Sequence, residues 1–462
     1  MPDALALPAR KTSSFVILVA AGAATAGLLY GYDVAVINSA LVFLRSRFAL
    51  SALEAEMVAS IAFWGCAIGA AISGWASDRF GRRSVLLVAG LLFCLADLSA
   101  FASGQFWQLL SARLVAGVGI GSALLVAPLY IAEISPAHAR GRLVTVNQLA
   151  TVSGILIGFL CNFEIAASLH DNWRWMFAAG ALPAIALCVS LLWIPESPRW
   201  LIQHGHKDRA VAILKRTSSG AALQEALDEI GTRINEETGT YRELFGPALR
   251  KPLTLAIMLA IIQQITGVNT VLFYGSILFA EHTGASTIQA IGMNVIVGAV
   301  NLVFTIVGLF LIDRLGRRPL LLTGTGGMGI CLVAFAVMAR IFPGRSELLL
   351  VPLLGYVACF AFGLGTGVWV CLAELFPNRI RGRAMSIATV VLWMTVSGVA
   401  ATFLTLLNAF SASTVFLGYA VLCAASFACI YLLLPETKNR TLEDIERIWS
   451  QDSKEFLGSN SH

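Results

Sequence analysis

DRFGRR at residues 78–83 and DRLGRR at residues 313–318 differ at one position and lie 235 residues apart (313 less 78). AEISPAHARGR (132–142) returns as AELFPNRIRGR (373–383), the glutamates 241 apart (374 less 133). PESPR (195–199) returns as PETKN (435–439), 240 apart (435 less 195). Three matches at nearly one offset make the chain an internal duplication, and they fix where each copy begins and ends.

The sequence around these anchors is apolar. Runs of about 20 residues or more fall near 15–39, 56–76, 84–103, 109–131, 142–162 and 173–194, and again near 253–280, 288–312, 318–341, 349–372, 384–408 and 414–434. Each is long enough for a helix to cross roughly 30 Å of hydrocarbon. Of the 462 residues 57% are hydrophobic and 13% charged, with mean hydropathy +0.78; soluble domains carry about 25% charged residues. The expected fold is an all-α membrane protein of twelve transmembrane helices in two six-helix bundles. The expected divisions are an N-terminal bundle 1–194, a cytoplasmic helical linker 195–250, a C-terminal bundle 251–437 and a cytoplasmic tail 438–462. The 41 glycines suit close helix packing in lipid. The first apolar run continues beyond a signal-peptide core, so no cleavable leader is expected.

Arginine sets the orientation. One set of alternate loops holds Arg79, Arg82, Arg83, Arg140, Arg142, Arg314, Arg317, Arg318, Arg379, Arg381 and Arg383, against chiefly Arg45, Arg47, Arg174 and Arg345 in the other. Both termini and the central stretch are therefore expected in the cytoplasm. Within that stretch, DRAVAILKRTSS (208–219) and LQEALDEIGTRI (223–234) read as short amphipathic helices. The net charge of +5 comes from short clusters between apolar runs, which argues against nucleic acid as a partner. The nine cysteines sit singly in apolar runs, as small buried hydrophobes do, and no metal or other cofactor is implied. There is no phosphate loop and no Ser/His/Asp arrangement, so an enzyme is not expected. Two parallel six-helix repeats mark alternating-access transporters, which place their site between the halves.

PESPRWL (195–201), QQITGVN (263–269), the two E-x6-RGR motifs and PETK (435–438), together with the paired DRxGRR, resemble the sugar porter family of the major facilitator superfamily over nearly the whole chain. Similar proteins are bacterial proton-linked sugar symporters and animal glucose facilitators. The resemblance implies a proton-coupled symporter that imports a monosaccharide by alternating access. The sugar is expected to be a hexose or pentose, foremost a glucose-like one. The partners are then sugar, protons and the lipid bilayer. The protein is expected to be a monomer in the plasma membrane, most simply a bacterial inner membrane. An uncoupled sugar facilitator, a polyol or inositol carrier, and a non-transporting sugar sensor are the competing readings; the short stretch after Thr437 argues against the sensor.

The resemblance implies sugar contacts from Gln148, Gln263, Gln264, Asn269, Asn301 and Trp369. The residue types make independent sense: amides both donate to and accept from hydroxyls, and an aromatic face packs on the C–H surface of a sugar ring. On an ideal helix, residues 263 and 269 stand about 240° apart around the axis. Gly267 between them predicts a break that brings them together. Asp33, in YGYDVAVIN (30–38), and Arg113 lie within apolar runs, where a charge is costly and usually functional. Proton-coupled members of the family carry Asp at this first position, which makes Asp33 the expected proton carrier and Arg113 its partner. Arg82, Glu133, Arg140, Arg317, Glu374 and Arg381 take the family's role of cytoplasmic ion pairs that hold the halves together when the site faces outward. VVLWMTVSG (390–398) departs from the pattern, with Leu392 and Val396 where relatives often carry polar residues. Asp97 and Glu164 have no family role.

Overall fold

In hydrocarbon every backbone polar group must find its partner inside the protein, and a helix does this within one segment. The computed structural model describes residues 13–136, 139–217, 223–224, 227, 241–283, 286–341, 346–376, 378–436 and 438, and these are helical almost throughout. The first half comprises α1 (Ser14–Phe48), α2 (Ala52–Phe80), α3 (Arg82–Ala102), α4 (Phe106–Ile134), α5 (Arg140–Ser168) and α6 (Asn172–Trp193). Short helices α7 (Pro198–Gln203), α8 (Lys207–Thr217) and α9 (Tyr241–Leu244) follow. The second half comprises α10 (Pro247–Ile265), α11 (Val268–Thr283), α12 (Thr287–Leu315), α13 (Arg317–Ile341), α14 (Ser346–Phe362), α15 (Leu364–Glu374), α16 (Asn378–Ala400), α17 (Phe403–Ala409) and α18 (Ala412–Leu433).

Twelve helical stretches are long and apolar enough to span a membrane, and they coincide with the twelve apolar runs. Three of them are broken, into α10/α11, α14/α15 and α16/α17. The helix expected over 208–219 is α8. The one expected over 223–234 lies largely outside the described residues, as do Arg345 and the tail after 438.

The duplicated motifs build one structure twice. Glu196, from PESPR, accepts from the backbone N–H groups of Arg82 (2.9 Å) and Arg83 (3.2 Å) at the start of α3. Glu436, from PETK, accepts from the N–H groups of Arg317 (3.0 Å) and Arg318 (3.1 Å) at the start of α13. A helix N-terminus presents unpaired N–H groups and positive potential, so a carboxylate is the natural cap. The glycine of each DRxGRR makes the cap possible. Gly81 (φ +93°) and Gly316 (φ +96°) occupy a region that L-residues avoid. A Cβ there would stand 2.2 Å from Glu196 Oε2 and 2.8 Å from Glu436 Oε2.

The side chains of Arg83 and Arg318 also serve helix C-termini at the same end: Arg83 Nε donates to the carbonyl of Leu191 (2.6 Å) and Arg318 Nη2 to that of Tyr431 (2.5 Å). The arginines of the motifs thus close the ends of α6 and α18, where the last carbonyls have no partner within their own helices.

The halves meet through α1 against α11, α2 against α16 and α17, and α5 against α12. The polar bridges among them lie at the end away from the DRxGRR motifs. Asn38 Nδ2 donates to the carbonyls of Leu272 (2.8 Å) and Val271 (3.2 Å), and its Oδ1 accepts from Ser276 N (3.1 Å) and Ser276 Oγ (2.5 Å). The fully buried Glu56 accepts from Thr405 N (2.7 Å) and Thr405 Oγ1 (2.8 Å). Ser397 Oγ donates to the carbonyl of Ser60 (3.3 Å), and Arg45 pairs with Glu281 at 2.5 Å.

Gly81→Ala is expected to lose about 1–3 kcal/mol of stability, read as a lowered melting temperature of the purified protein in detergent. Gly74→Ala is the control, because a Cβ there meets nothing within 4 Å. Equal melting temperatures for the two variants would refute the capping argument.

Candidate functional site

The most costly pair in the bundle is Asp33 on α1 with Arg113 on α4, both buried at hydrocarbon depth. Arg113 Nη1 donates to Asp33 Oδ1 and Nη2 to Oδ2 (3.2 Å), the two-pronged geometry that a guanidinium makes with a carboxylate. Each charge satisfies the other, and removing one partner would strand the second. The pair joins α1 to α4 within the first half.

One helical turn before Asp33, Tyr30 leads to the boundary between the halves. Its ring sits edge-on to Trp393 of α16 (5.6 Å between centroids), and Trp393 stacks on Phe63 of α2 (5.9 Å, 8° between planes). Phe63 in turn reaches Phe273 of α11 at 5.0 Å. Four rings from four helices therefore bridge the halves beside the ion pair. The buried indole N–H of Trp393 has no acceptor among the described residues. Leu392 and Val396 flank it, both buried.

The break predicted at Gly267 is present. α10 ends at Ile265, Gly267 has φ +87°, and α11 begins at Val268. The kink brings Asn269 back onto the preceding helix: its Nδ2 donates to Gln264 Oε1, and Gln264 Nε2 donates to Gln263 Oε1 (3.3 Å). Gln263, Gln264 and Asn269 thus form one buried amide chain, although an unbroken helix would have spread them around its axis. Gln263 has a second task that the sequence did not show, since its Nε2 donates to the carbonyl of Leu364 (3.0 Å) at the break in span ten. Asn301 is buried on α12, whereas Gln148 on α5 and Trp369 on α15 are half-buried. Among the described residues no hydrogen bond joins these three to the amide chain.

At the motif end the expectation is of pairs between the halves, and the structure places ion pairs inside each half. Arg82 Nη2 donates to Glu133 Oε1 (3.1 Å), and Arg317 Nη2 donates to Glu374 Oε1 (2.8 Å). Arg140 Nε binds the carbonyl of Ala132 (3.0 Å), and Arg381 Nη2 that of Phe376 (3.1 Å), among the interactions of these two arginines. The two Arg–Glu pairs repeat from half to half, whereas Arg140 and Arg381 reach carbonyls at non-equivalent positions of the repeat. Sequence reasoning missed Glu196 and Glu436 as caps, and Asn38 and Glu56 as bridges between the halves.

A family model described as sugar (and other) transporter matches residues 19–449. The chain is 35% identical over 442 residues to the arabinose-proton symporter of Bacillus subtilis (strain 168), covering 94% of this chain and 95% of that protein. It is 34% identical to the major myo-inositol transporter IolT of the same organism, covering 91% of each. Its fold matches the major facilitator proton:xylose symporter XylE bound to 6-bromo-6-deoxy-D-glucose, with TM-score 0.82, 32% identity, and coverage of 95% of this chain and 100% of that one. A match over this span, on a twelve-span duplicated fold, places the chain in the sugar transporter family of the major facilitator superfamily.

Proposed function

We propose that this sugar transporter is a proton-coupled symporter that imports a monosaccharide by alternating access. The reading rests on one observation above the others: a buried, two-pronged Asp33–Arg113 pair stands beside the aromatic bridge between the halves. Protonating Asp33 removes the negative charge that holds Arg113. The guanidinium then needs another partner, and the local packing of α1 against α4 changes. Because Tyr30 lies on the same helix and contacts Trp393, that change reaches the surface where the halves separate. An uncoupled facilitator has no need of a titratable group at this depth, where a charge is costly.

The sugar is taken by the amide chain Gln263, Gln264 and Asn269, with Asn301, Gln148 and Trp369 completing the site. Amides at the break have donors and acceptors held close together, which suits vicinal hydroxyls. Gln264 and Asn269 are the more dispensable to the fold, because Gln263 also holds Leu364. With arginine-rich loops inside, both termini are cytoplasmic and the chain sits in a bacterial plasma membrane as a monomer. The bridges through Asn38 and Glu56 then close the outer side, as an inward-facing state of the transporter requires. Residues 1–194 and 251–437 are the rocking units, joined by 195–250. The pairs Arg82–Glu133 and Arg317–Glu374 preassemble each half's share of the inner gate, with Arg140 and Arg381 beside them, ready to meet across the halves in the outward-facing state.

The polyol reading has a specific support in the inositol-transporting relative, since a cyclitol also presents a ring of hydroxyls. Uptake of labelled D-glucose, D-xylose, L-arabinose and myo-inositol into proteoliposomes, with and without an inward proton gradient, decides both substrate and coupling. Gradient-independent uptake of every compound would overturn the symport reading.

Gln264→Ala and Asn269→Ala are each expected to weaken sugar binding at least tenfold, about 1.4 kcal/mol, measured by calorimetry on folded protein; unchanged affinity removes the residue from the site. Asp33→Asn keeps the side-chain shape and abolishes titration. Accumulation driven by a pH gradient is expected to fall at least tenfold while downhill exchange persists. A variant that still concentrates sugar would clear Asp33 of the role.

A further inference from the structure

Asp97 has no part in the mechanism above. It lies on α3, 3% exposed, near the end of that helix remote from the DRxGRR motif. Among the described residues no hydrogen bond reaches its carboxyl group. The neighbouring helix leaves it room: α6 faces it with Gly180, where a Cβ would stand 2.2 Å from Asp97 Oδ2.

The charged and titratable groups around it come from three helices. From α1 come Asp33 and Tyr32, and the Tyr32 hydroxyl in turn faces Cys161 of α5. From α4 comes Arg113, and α3 itself adds Cys94. The cation of α6, Arg174, is engaged with the carbonyls of Phe101 and Ser103 at the end of α3. Two carboxyl groups therefore share the field of one guanidinium, and Asp33 takes both terminal nitrogens of Arg113. With both acids ionised the cluster would hold one net negative charge at hydrocarbon depth, and the charge on Asp97 would have no donor to solvate it. Such a charge neutralises by binding a proton.

We propose that Asp97 is a second proton-binding site of the transporter, occupied when Asp33 is closed on Arg113. This rests on the reading of Asp33 as the proton carrier. In the transfer, the O–H bond of a protonated Asp33 breaks and an O–H bond forms on the carboxylate of Asp97. Asp33 is left ionised against Arg113, and the total charge of the cluster is unchanged. Running in reverse, Asp97 loads Asp33 from the side of the membrane away from the motifs.

The test compares wild type, Asp97→Asn, Gly180→Ala and Asp33→Asn in proteoliposomes, using the compound transported fastest in the uptake panel. Asp97→Asn is expected to keep equilibrium exchange within about twofold of wild type. It should lose at least tenfold in the initial rate of gradient-driven uptake, with a displaced rate–pH profile. The infrared carbonyl stretch of a protonated carboxylic acid, present in wild type at neutral pH, should vanish in this variant. Gly180→Ala retains the acid but crowds it, and it should displace the same pH profile; this variant decides the matter if Asp97→Asn does not fold. If Asp33→Asn uncouples transport while Asp97→Asn or Gly180→Ala keeps the wild-type pH profile, Asp97 holds no transported proton and the proposal fails alone. If wild type shows no gradient-driven uptake, the symport reading fails and takes this proposal with it.

Discussion

A carbonyl or N–H without a partner in hydrocarbon costs several kcal/mol, and the architecture follows from that penalty. Unbroken helices meet it within themselves. The three broken spans do so with local turn bonds across each break, and beside each break a side chain from another span adds a hydrogen bond to a carbonyl. Tyr356 Oη donates to the carbonyl of Thr266 (2.7 Å) beside the break at Gly267. Gln263 Nε2 serves the carbonyl of Leu364 beside the break at Gly363. Tyr274 Oη serves the carbonyl of Ala400, where α16 gives way to α17. The donors come from spans ten, seven and seven, so breaks in spans seven, ten and eleven support one another and form a connected unit in the second half.

The two halves repeat in their ends and differ in their middles. At the motif end, a glycine at positive φ, a carboxylate cap and an Arg–Glu pair appear in both copies. At hydrocarbon depth the first half keeps six continuous helices and carries the Asp33–Arg113 pair and Asp97. The second half carries the breaks and the amide chain. A duplicated frame with divergent interiors lets one half hold charged side chains while the other holds neutral donors and acceptors. The aromatic bridge of Tyr30, Trp393, Phe63 and Phe273 is where the two meet.

What could be read from the sequence follows the range of each interaction. The spans, the repeat and the break at Gly267 rest on local composition and helical geometry, and all are in the fold. The meeting of Asp33 with Arg113 lies beyond periodicity, because the residues are 80 positions apart; the family resemblance supplied it. The breaks at Gly363 and Ala400–Thr402 gave no signal, since glycine and small residues are common throughout membrane helices. Glu56 and Asn38 lie at the edges of apolar runs, and only the packing of the opposite half makes them bridges. The cap by Glu196 was hidden for another reason: its motif was visible, but a motif does not say which helix its glutamate will close.

The closed end of the bundle shows which contacts can act as a latch. Arg45 and Glu281 are partly exposed, and a pair in that setting contributes no more than about 1 kcal/mol. Water replaces it at little cost. Glu56 differs, because its carboxylate is fully buried and both oxygens accept from Thr405 on the other half. Separating α2 from α17 strands that charge until water reaches it, and it also uncaps the first turn of α17. The same reasoning applies to Asn38, whose amide serves two carbonyls and a serine of α11. These groups make partial opening the least favourable arrangement: the polar atoms are satisfied with the halves together or fully wetted apart, and poorly served between. Contacts of this kind favour two arrangements of the halves over those between, and the buried hydrogen bonds weigh more in that preference than the ion pair at the rim.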